Sequence, residues 1–389
     1  MPAAGAGVYL APVQNWTAWR DEFPILSRRT YLNSCSLGAL SQRALSRVAT
    51  FHEDWHDRGA SAWYETWVGR LAELRTRVAS MIAADDTEIG LAASTSAALS
   101  VLGSAFDYSK RNRVVLAELD FPTVAYQWMV RPGVEVVRVP SDDGVSIDPD
   151  RMAAAIDDRT AIVSISHVFF TTGAIQQTAA IAEAARRHGA FFIIDAYQGA
   201  GQVPIDVDVL GADALLTGPL KWLLGGPGLA YVYVREEWLQ RLQPTITGWF
   251  AARDQFSFDI NHFEFREDAR RFELGTPALP TVHSALGGQE IMDDIGVPAI
   301  RARNSELTEH LIRGLADHGF SVRGAAQPRD RSALVMVRHD QPAAAVQRLA
   351  AAGIIVDARP GYVRVSPHFY NTLDEVDLFI DVLRSEDRS

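Results

Sequence analysis

Residues 190–234 read AFFIIDAYQGAGQVPIDVDVLGADALLTGPLKWLLGGPGLAYVYV. Three apolar, strand-like runs stand in this stretch. Phe191 to Ile194 leads into an acid, Asp195. Ala214 to Thr217 leads towards Lys221 and the glycine-rich turn Gly225-Gly226-Pro227-Gly228, and Leu229 to Val234 follows. Strands buried on both faces read as continuous apolar runs of this kind. Alone, Asp195 reads as a strand-end cap and Lys221 as a solvated loop lysine. Together they suit one chemistry. Pyridoxal 5′-phosphate needs a lysine to condense with its aldehyde and an acid to keep its pyridine nitrogen protonated, which lets the ring draw electrons from bonds at a substrate Cα.

Working outward, the same pattern runs from about Leu91 to Val234. EIGLAA, RVVLAEL, VEVVRVP and TAIVSISH precede the opening stretch, with helical patterns such as TSAALSVLGSAF and TAAIAEAARRHG between strands. Alternating strands and helices predict an α/β fold with a mainly parallel central sheet covered on both faces. Ligands of such sheets bind beyond the carboxyl ends of the strands. After about Thr276 two long helical patterns come first, then strands at SALVMVRH, GIIVDA and YVRVSPH. The last helix opens with the capping-box pattern Thr372 to Glu375. This predicts an N-terminal segment (residues 1–30) packed on a small C-terminal α/β domain (276–389), with a large cofactor-binding domain (31–275) between them. Trp16 to Phe23 reads as a short helix.

Composition bounds the function. The chain has 389 residues and a formal net charge of −11, which argues against nucleic acid or an anionic membrane as main partner. Its single cysteine, Cys35, leaves no disulfide framework and suits a reducing compartment. The N-terminus lacks the pattern of a signal peptide, and no run of about 20 apolar residues is present. A cytoplasmic enzyme is the expectation.

Further candidates fall at predicted strand ends. Ser94, Thr95 and Ser96 follow one strand and open a helix, where hydroxyls and free N–H groups favour phosphate, or where a serine is simply a cap. Phe121, in Asp120-Phe121-Pro122-Thr123, could stack on a pyridine ring or fill core. His167 ends a strand. Gln198 is placed to reach a ring hydroxyl or to sit in a surface turn. Arg364, inside an apolar strand, needs a partner; a substrate α-carboxylate or a structural carboxylate would supply one.

With these residues in view, the chain resembles the class V aminotransferase family of fold type I pyridoxal-phosphate enzymes. Members include cysteine desulfurases, C–S lyases, kynureninases and isopenicillin N epimerases. TYLNSCSLGAL, DFPT, SHVFFTTG, DAYQ, the Lys221 turn, TGWF, RRFELGT and RVSPHFYN occur in the family's order over nearly the whole chain. The resemblance implies that Lys221 is the Schiff-base lysine, Asp195 the pyridinium partner and Gln198 the contact to the ring oxygen. It implies that Ala196 packs on the ring, Phe121 stacks on it, and Thr95 and Ser96 hold phosphate, with His167 also among the cofactor contacts. Trp249 and Thr276 match phosphate contacts supplied by the other subunit, which implies a homodimer with shared active sites. Arg364 matches the carboxylate arginine, and Asn33 looks like a substrate-side residue.

Departures from the family narrow the reaction. Desulfurases carry persulfide on a cysteine late in the chain, and none follows Cys35. Cys35 itself reads as a small buried residue, with a thiol near the substrate as the other reading. Phe170 stands where desulfurases often have asparagine, and Leu220 where many relatives have histidine or tyrosine, which leaves Lys221 as the leading proton carrier. The expected function is β-elimination from a cysteine S-conjugate. The alternatives on the same scaffold are decarboxylation coupled to oxidative deamination, epimerisation, kynureninase-like hydrolysis and aminotransfer. Trp55, Trp63, Tyr64 and Trp67 suggest a bulky or aromatic substrate, or core.

Two other classes compete. His52-Glu53-Asp54-Trp55-His56 is a literal HExxH, which on a helix could hold zinc for a metallopeptidase. It lacks a third-ligand signature, although Glu65 and Glu73 follow, and a polar helix face explains it, so no metal is expected. A nicotinamide enzyme would need G-x-G-x-x-G after an early strand, and the Gly225 turn does not fit that pattern.

Overall fold

The computed structural model describes residues 15–385. Among the described residues, a seven-stranded sheet forms the centre of the molecule. Its strands, in spatial order, are Ile89–Ala92, Ala230–Val234, Ala214–Thr217, Phe191–Asp195, Thr160–Ser166, Arg113–Ala117 and Glu135–Val139. All seven were expected from their apolar runs. Ala230–Val234 is antiparallel to both its neighbours, and the remaining pairings are parallel. Helices on the two faces bury it between two hydrophobic clusters.

A four-stranded antiparallel sheet lies wholly after residue 320. Its order is Asp357–Arg359, Tyr362–Val365, Val335–Arg338 and Val322–Arg323. It shares a core with the helices Val297–Asp317, Pro342–Ala351 and Leu373–Arg384, the last opened by the expected capping box at Thr372 and Glu375. The Leu279–Ile295 helix instead packs against the helices Gln42–Arg58 and Val68–Ile82 and joins the larger core. Gly225 is required where the Lys221 turn meets that helix, because a Cβ there would come within 2.6 Å of the Ala285 Cα.

Of the predicted N-terminal segment, residues 1–14 lie outside the described residues. Trp16–Trp19 is helical and continues into a 3₁₀ turn over Arg20–Glu22. The rings of Trp16, Trp19 and Phe23 meet Phe369, and Arg20 bridges Glu375 at 2.8 Å.

Candidate active site

A cavity of about 270 Å³ opens beyond the carboxyl ends of the parallel strands. Each wall has a strand behind it. Ser166 and Asp195 are register partners at the ends of two adjacent parallel strands. Lys221 enters from the turn after Ala214–Thr217. Ser94, Thr95 and Ser96 come from the start of the Thr95–Ser104 helix, and Phe121 and Thr123 from the start of the Pro122–Met129 helix.

The helix start is built for an anion. Ser94 is the N-cap, its Oγ accepting from Ala97 N at 3.2 Å. Thr95 Oγ1 is buried and has no hydrogen-bond partner. Ser96 Oγ lies 3.2 Å from Thr123 Oγ1. The first N–H groups of a helix carry partial positive charge and have no intrahelical acceptors, so this corner suits phosphate.

The opposite corner carries the lysine–aspartate pair. Asp195 is buried and accepts from Tyr197 N at 2.9 Å. Burial pushes its carboxyl above the usual range, opposed by the Tyr197 N–H and the Lys221 charge. Lys221 is pulled down to about 8 chiefly by burial; the nearby Arg364 and Arg359 act in the same direction and Asp195 against it. Its Nζ stands 4.8 Å from the Tyr197 ring centroid and 6.0 Å from that of Phe121. Tyr197 is held neutral, its phenol pushed up to about 12 by burial and by Asp195. Below them Asp120 ties two strand ends together, accepting from Ala117 N at 2.9 Å and Ser166 N at 2.7 Å, and burial pushes its carboxyl up to about 7.

The cavity thus gathers Lys221, Asp195, Thr95, Ser96, Phe121 and Gln198. Gln198 is committed to protein partners: its Oε1 accepts from Trp222 Nε1 at 2.9 Å and its Nε2 donates to Cys35 O at 3.0 Å. Ala196 is fully buried behind Asp195. Arg364 stands behind Phe170, its Nη1 donating to Phe170 O at 3.4 Å. Asn33 bridges to Ser366 in the loop that docks on Leu220 through Gly38 N.

His167 is not brought into the cavity. It is buried, pulled down to about 4 by burial, and a Cβ on Gly199 would lie 2.5 Å from its Nδ1. Trp249 and Thr276, expected to reach the site of the other subunit, line a second cavity of about 270 Å³ with Tyr64, Phe256 and Phe258. The HExxH residues do not assemble a metal centre. His56 is exposed, 3.9 Å from Asp57, and among the described residues no group of three or more His, Cys, Asp or Glu is placed to hold a metal ion. Sequence reasoning gave no role to Tyr197, Thr123 or Ser166, although each lies within a recognised stretch (DAYQ, DFPT, SHVFFTTG).

An orphaned hydroxyl at a helix start, a buried carboxylate and a lysine of lowered proton affinity, around one cavity, form a site that fits pyridoxal 5′-phosphate. Fold and site together define a pyridoxal-phosphate enzyme of α/β architecture. More particularly, the chain belongs to the class-V aminotransferase family, which it matches over residues 30–379. It is 31% identical over 368 residues to a Bacillus subtilis protein named uncharacterized aminotransferase YcbU, covering 95% of this chain and 97% of that one. It is 27% identical over 386 residues to a kynureninase of Geobacillus thermodenitrificans, covering 94% and 90%. Among solved structures it superimposes on a cysteine desulfurase of Thermococcus onnurineus NA1 (TM-score 0.86, 22% identity, 95% and 97% covered). It matches the cystine C–S lyase C-DES in complex with cysteine persulfide equally well (TM-score 0.86, 22% identity, 93% and 99% covered). Both likenesses concern the fold.

Proposed function

We infer that this enzyme is a C–S lyase that eliminates a thiol from a cysteine S-conjugate, with pyruvate and ammonia as the other products. The observation that carries this reading concerns Cys35. It is the only cysteine of the sequence, and it is fully buried against Trp222, Ala333, Leu334 and Met336. The chain therefore offers no exposed thiol to capture sulfur, and a sulfur species freed at Cβ leaves in solution.

The residues divide the work as follows. Thr95, Ser96 and the helix start would hold the phosphate, Asp195 would keep the pyridine nitrogen protonated, and Lys221 would anchor the group through its aldehyde until a substrate amine takes that place. When bound, pyridoxal 5′-phosphate supplies an electron sink for charge developing at the substrate Cα. Arg364 orients the α-carboxylate from behind Phe170. Lys221 Nζ accepts the Cα proton, a role that its lowered proton affinity suits near neutral pH. The electron pair of the Cβ–S bond departs with sulfur, which takes up a proton, and water hydrolyses the remaining enamine to pyruvate and ammonia. Leu220 adds no proton-transfer group, so one amine serves this step.

We read the working form as a homodimer with shared sites. Trp249, Phe256, Phe258 and Ile260 are exposed, with Ile260 at 97%. Apolar surface of that kind is suited to cover by a second copy. A second chemical reading, kynureninase-like hydrolysis, is favoured by the kynureninase relatives and by the aromatic wall where Phe121 meets Phe170 edge-on at 5.1 Å.

The deciding experiment is mass spectrometry of products from a panel of S-substituted cysteines and from kynurenine. Pyruvate with free thiol supports the lyase. Anthranilate from kynurenine, with no thiol released, would replace it with the hydrolase. An aldehyde one carbon shorter without pyruvate would mean that the carboxylate bond is cut.

A further inference from the structure

Asp357 and Arg364 are register partners on adjacent antiparallel strands. Arg364 Nη2 donates to Asp357 Oδ2 at 2.6 Å and to Ser36 Oγ at 2.6 Å, and Ser36 Oγ donates to the same carboxylate oxygen at 2.9 Å. Arg359 Nη1 lies 2.8 Å from that oxygen too. One carboxylate is therefore shared by two guanidiniums, and the cluster carries a net charge of about +1. Arg364 is almost wholly buried, its side chain 3% exposed, while those of Asp357 and Arg359 are 27% and 30% exposed. Nη2 of Arg364 is fully used by Asp357 and Ser36. Its Nη1 has one long bond to Phe170 O, and its Nε has none.

The field of this cluster reaches the reacting centre, because both arginines act on the proton affinity of Lys221. Burial pushes the Asp357 carboxyl up, but Arg364, Ser36 and Arg359 together hold it below the usual range. It is therefore ionised at neutral pH and offsets one of the two guanidinium charges. The charged side chains acting on Lys221 are Asp195, Arg364 and Arg359, and Asp357 is paired with the two arginines.

We propose that Asp357 is a specificity-determining residue that fits the pocket to amino acids with a single carboxylate, by neutralising one of the two arginines beside the substrate position. It also acts as a positioning residue, because it fixes Nη2 and with it the orientation of the Arg364 guanidinium, leaving Nη1 as the donor that can turn to the α-carboxylate. A substrate with a second carboxylate on its side chain meets Asp357 where a second free cation would be needed. The inference rests on the reading of Arg364 as the carboxylate clamp and not on which substrate bond is cut.

The test uses the holoenzyme and two amine-free probes, propionate and succinate, which bind without turnover. Affinities are read from changes in the cofactor absorption spectrum and from thermal shift. Asp357→Asn should move the succinate-to-propionate affinity ratio towards succinate by about tenfold, the order expected from uncovering a unit charge at a partly buried site. Asp357→Glu should keep the wild-type ratio, and Asp357→Asn combined with Arg359→Gln should return it close to wild type. An unchanged ratio in an Asp357→Asn protein with normal cofactor content and melting temperature overturns the proposal. If that variant does not fold, Arg359→Gln decides alone: a ratio shifted against succinate supports the proposal and an unchanged ratio overturns it. Wild-type protein that binds neither probe would overturn both the clamp and this inference. Normal binding with no thiol product would overturn only the lyase reaction.

Discussion

The amine of Lys221 faces the ring of Tyr197, with Nζ 4.8 Å from the ring centroid. A cation beside an aromatic face is stabilised, yet burial outweighs this contact and brings the lysine down to about 8. Only the neutral amine condenses with an aldehyde. Capture of pyridoxal 5′-phosphate by cofactor-free protein should therefore accelerate about tenfold per pH unit below 8 and level off above it. Stopped-flow absorbance across pH 6 to 10 checks this, and a rate still rising steeply near pH 10 would show an unperturbed lysine. Lys221→Ala should abolish covalent capture and turnover together.

Asp195 separates cofactor binding from cofactor activation. Asparagine at this position can keep the acceptor for Tyr197 N, seen at 2.9 Å, so the strand end should hold its shape. It cannot stabilise a protonated pyridine nitrogen. Asp195→Asn should thus retain covalent attachment through Lys221 and lose on the order of 10²-fold or more in kcat. Cofactor content by absorbance, measured beside turnover, distinguishes this from simple loss of binding.

Glu273 tests the foundation under the second cavity. Its Oε1 accepts from Arg75 Nη2 at 2.7 Å, Arg75 Nε at 3.3 Å and Leu91 N at 3.0 Å, and both side chains are buried. Glu273→Ala leaves a buried guanidinium and a strand N–H without their acceptor, and should destabilise the fold by about 3–5 kcal/mol. Glu273→Gln keeps an acceptor and should cost less. Denaturant unfolding of both variants gives the comparison.

The strands of the central sheet were legible because burial on both faces writes continuous apolar runs, as at Phe191–Asp195 and Ala230–Val234. Strands of two residues, such as Val322–Arg323 and Thr30–Tyr31, are too short to carry a period. Asp195, Thr95 and Lys221 were legible because Asp195 closes a strand, Thr95 opens a helix and Lys221 stands in the turn after a strand, all at the rim of the sheet. The partner of Arg364 was not. Asp357 stands opposite it only through strand register, which no local pattern announces. His167 sat at a strand end like the others, but it faces Gly199 and not the cavity, as strand alternation beside the cavity-lining Ser166 and Val168 would have indicated.

Gly38 connects the N-terminal loop to the lysine. Its N–H donates to Leu220 O at 2.9 Å, and a Cβ built on it would fall on the carbonyl oxygen of Lys221 and 3.0 Å from Leu224 Cδ2. Both neighbours belong to the turn that presents the Lys221 amine, and the carbonyl is backbone that cannot rotate aside. Gly38→Ala must therefore push the loop carrying Asn33 and Ser36 away from the turn, or move Lys221 itself. The expected result is a stability loss of about 1–3 kcal/mol together with a fall in kcat/KM that persists well below the melting temperature. A variant of lowered melting temperature but wild-type kcat/KM would mean that the turn absorbs the methyl without displacing the amine, and that the loop and the lysine are not coupled.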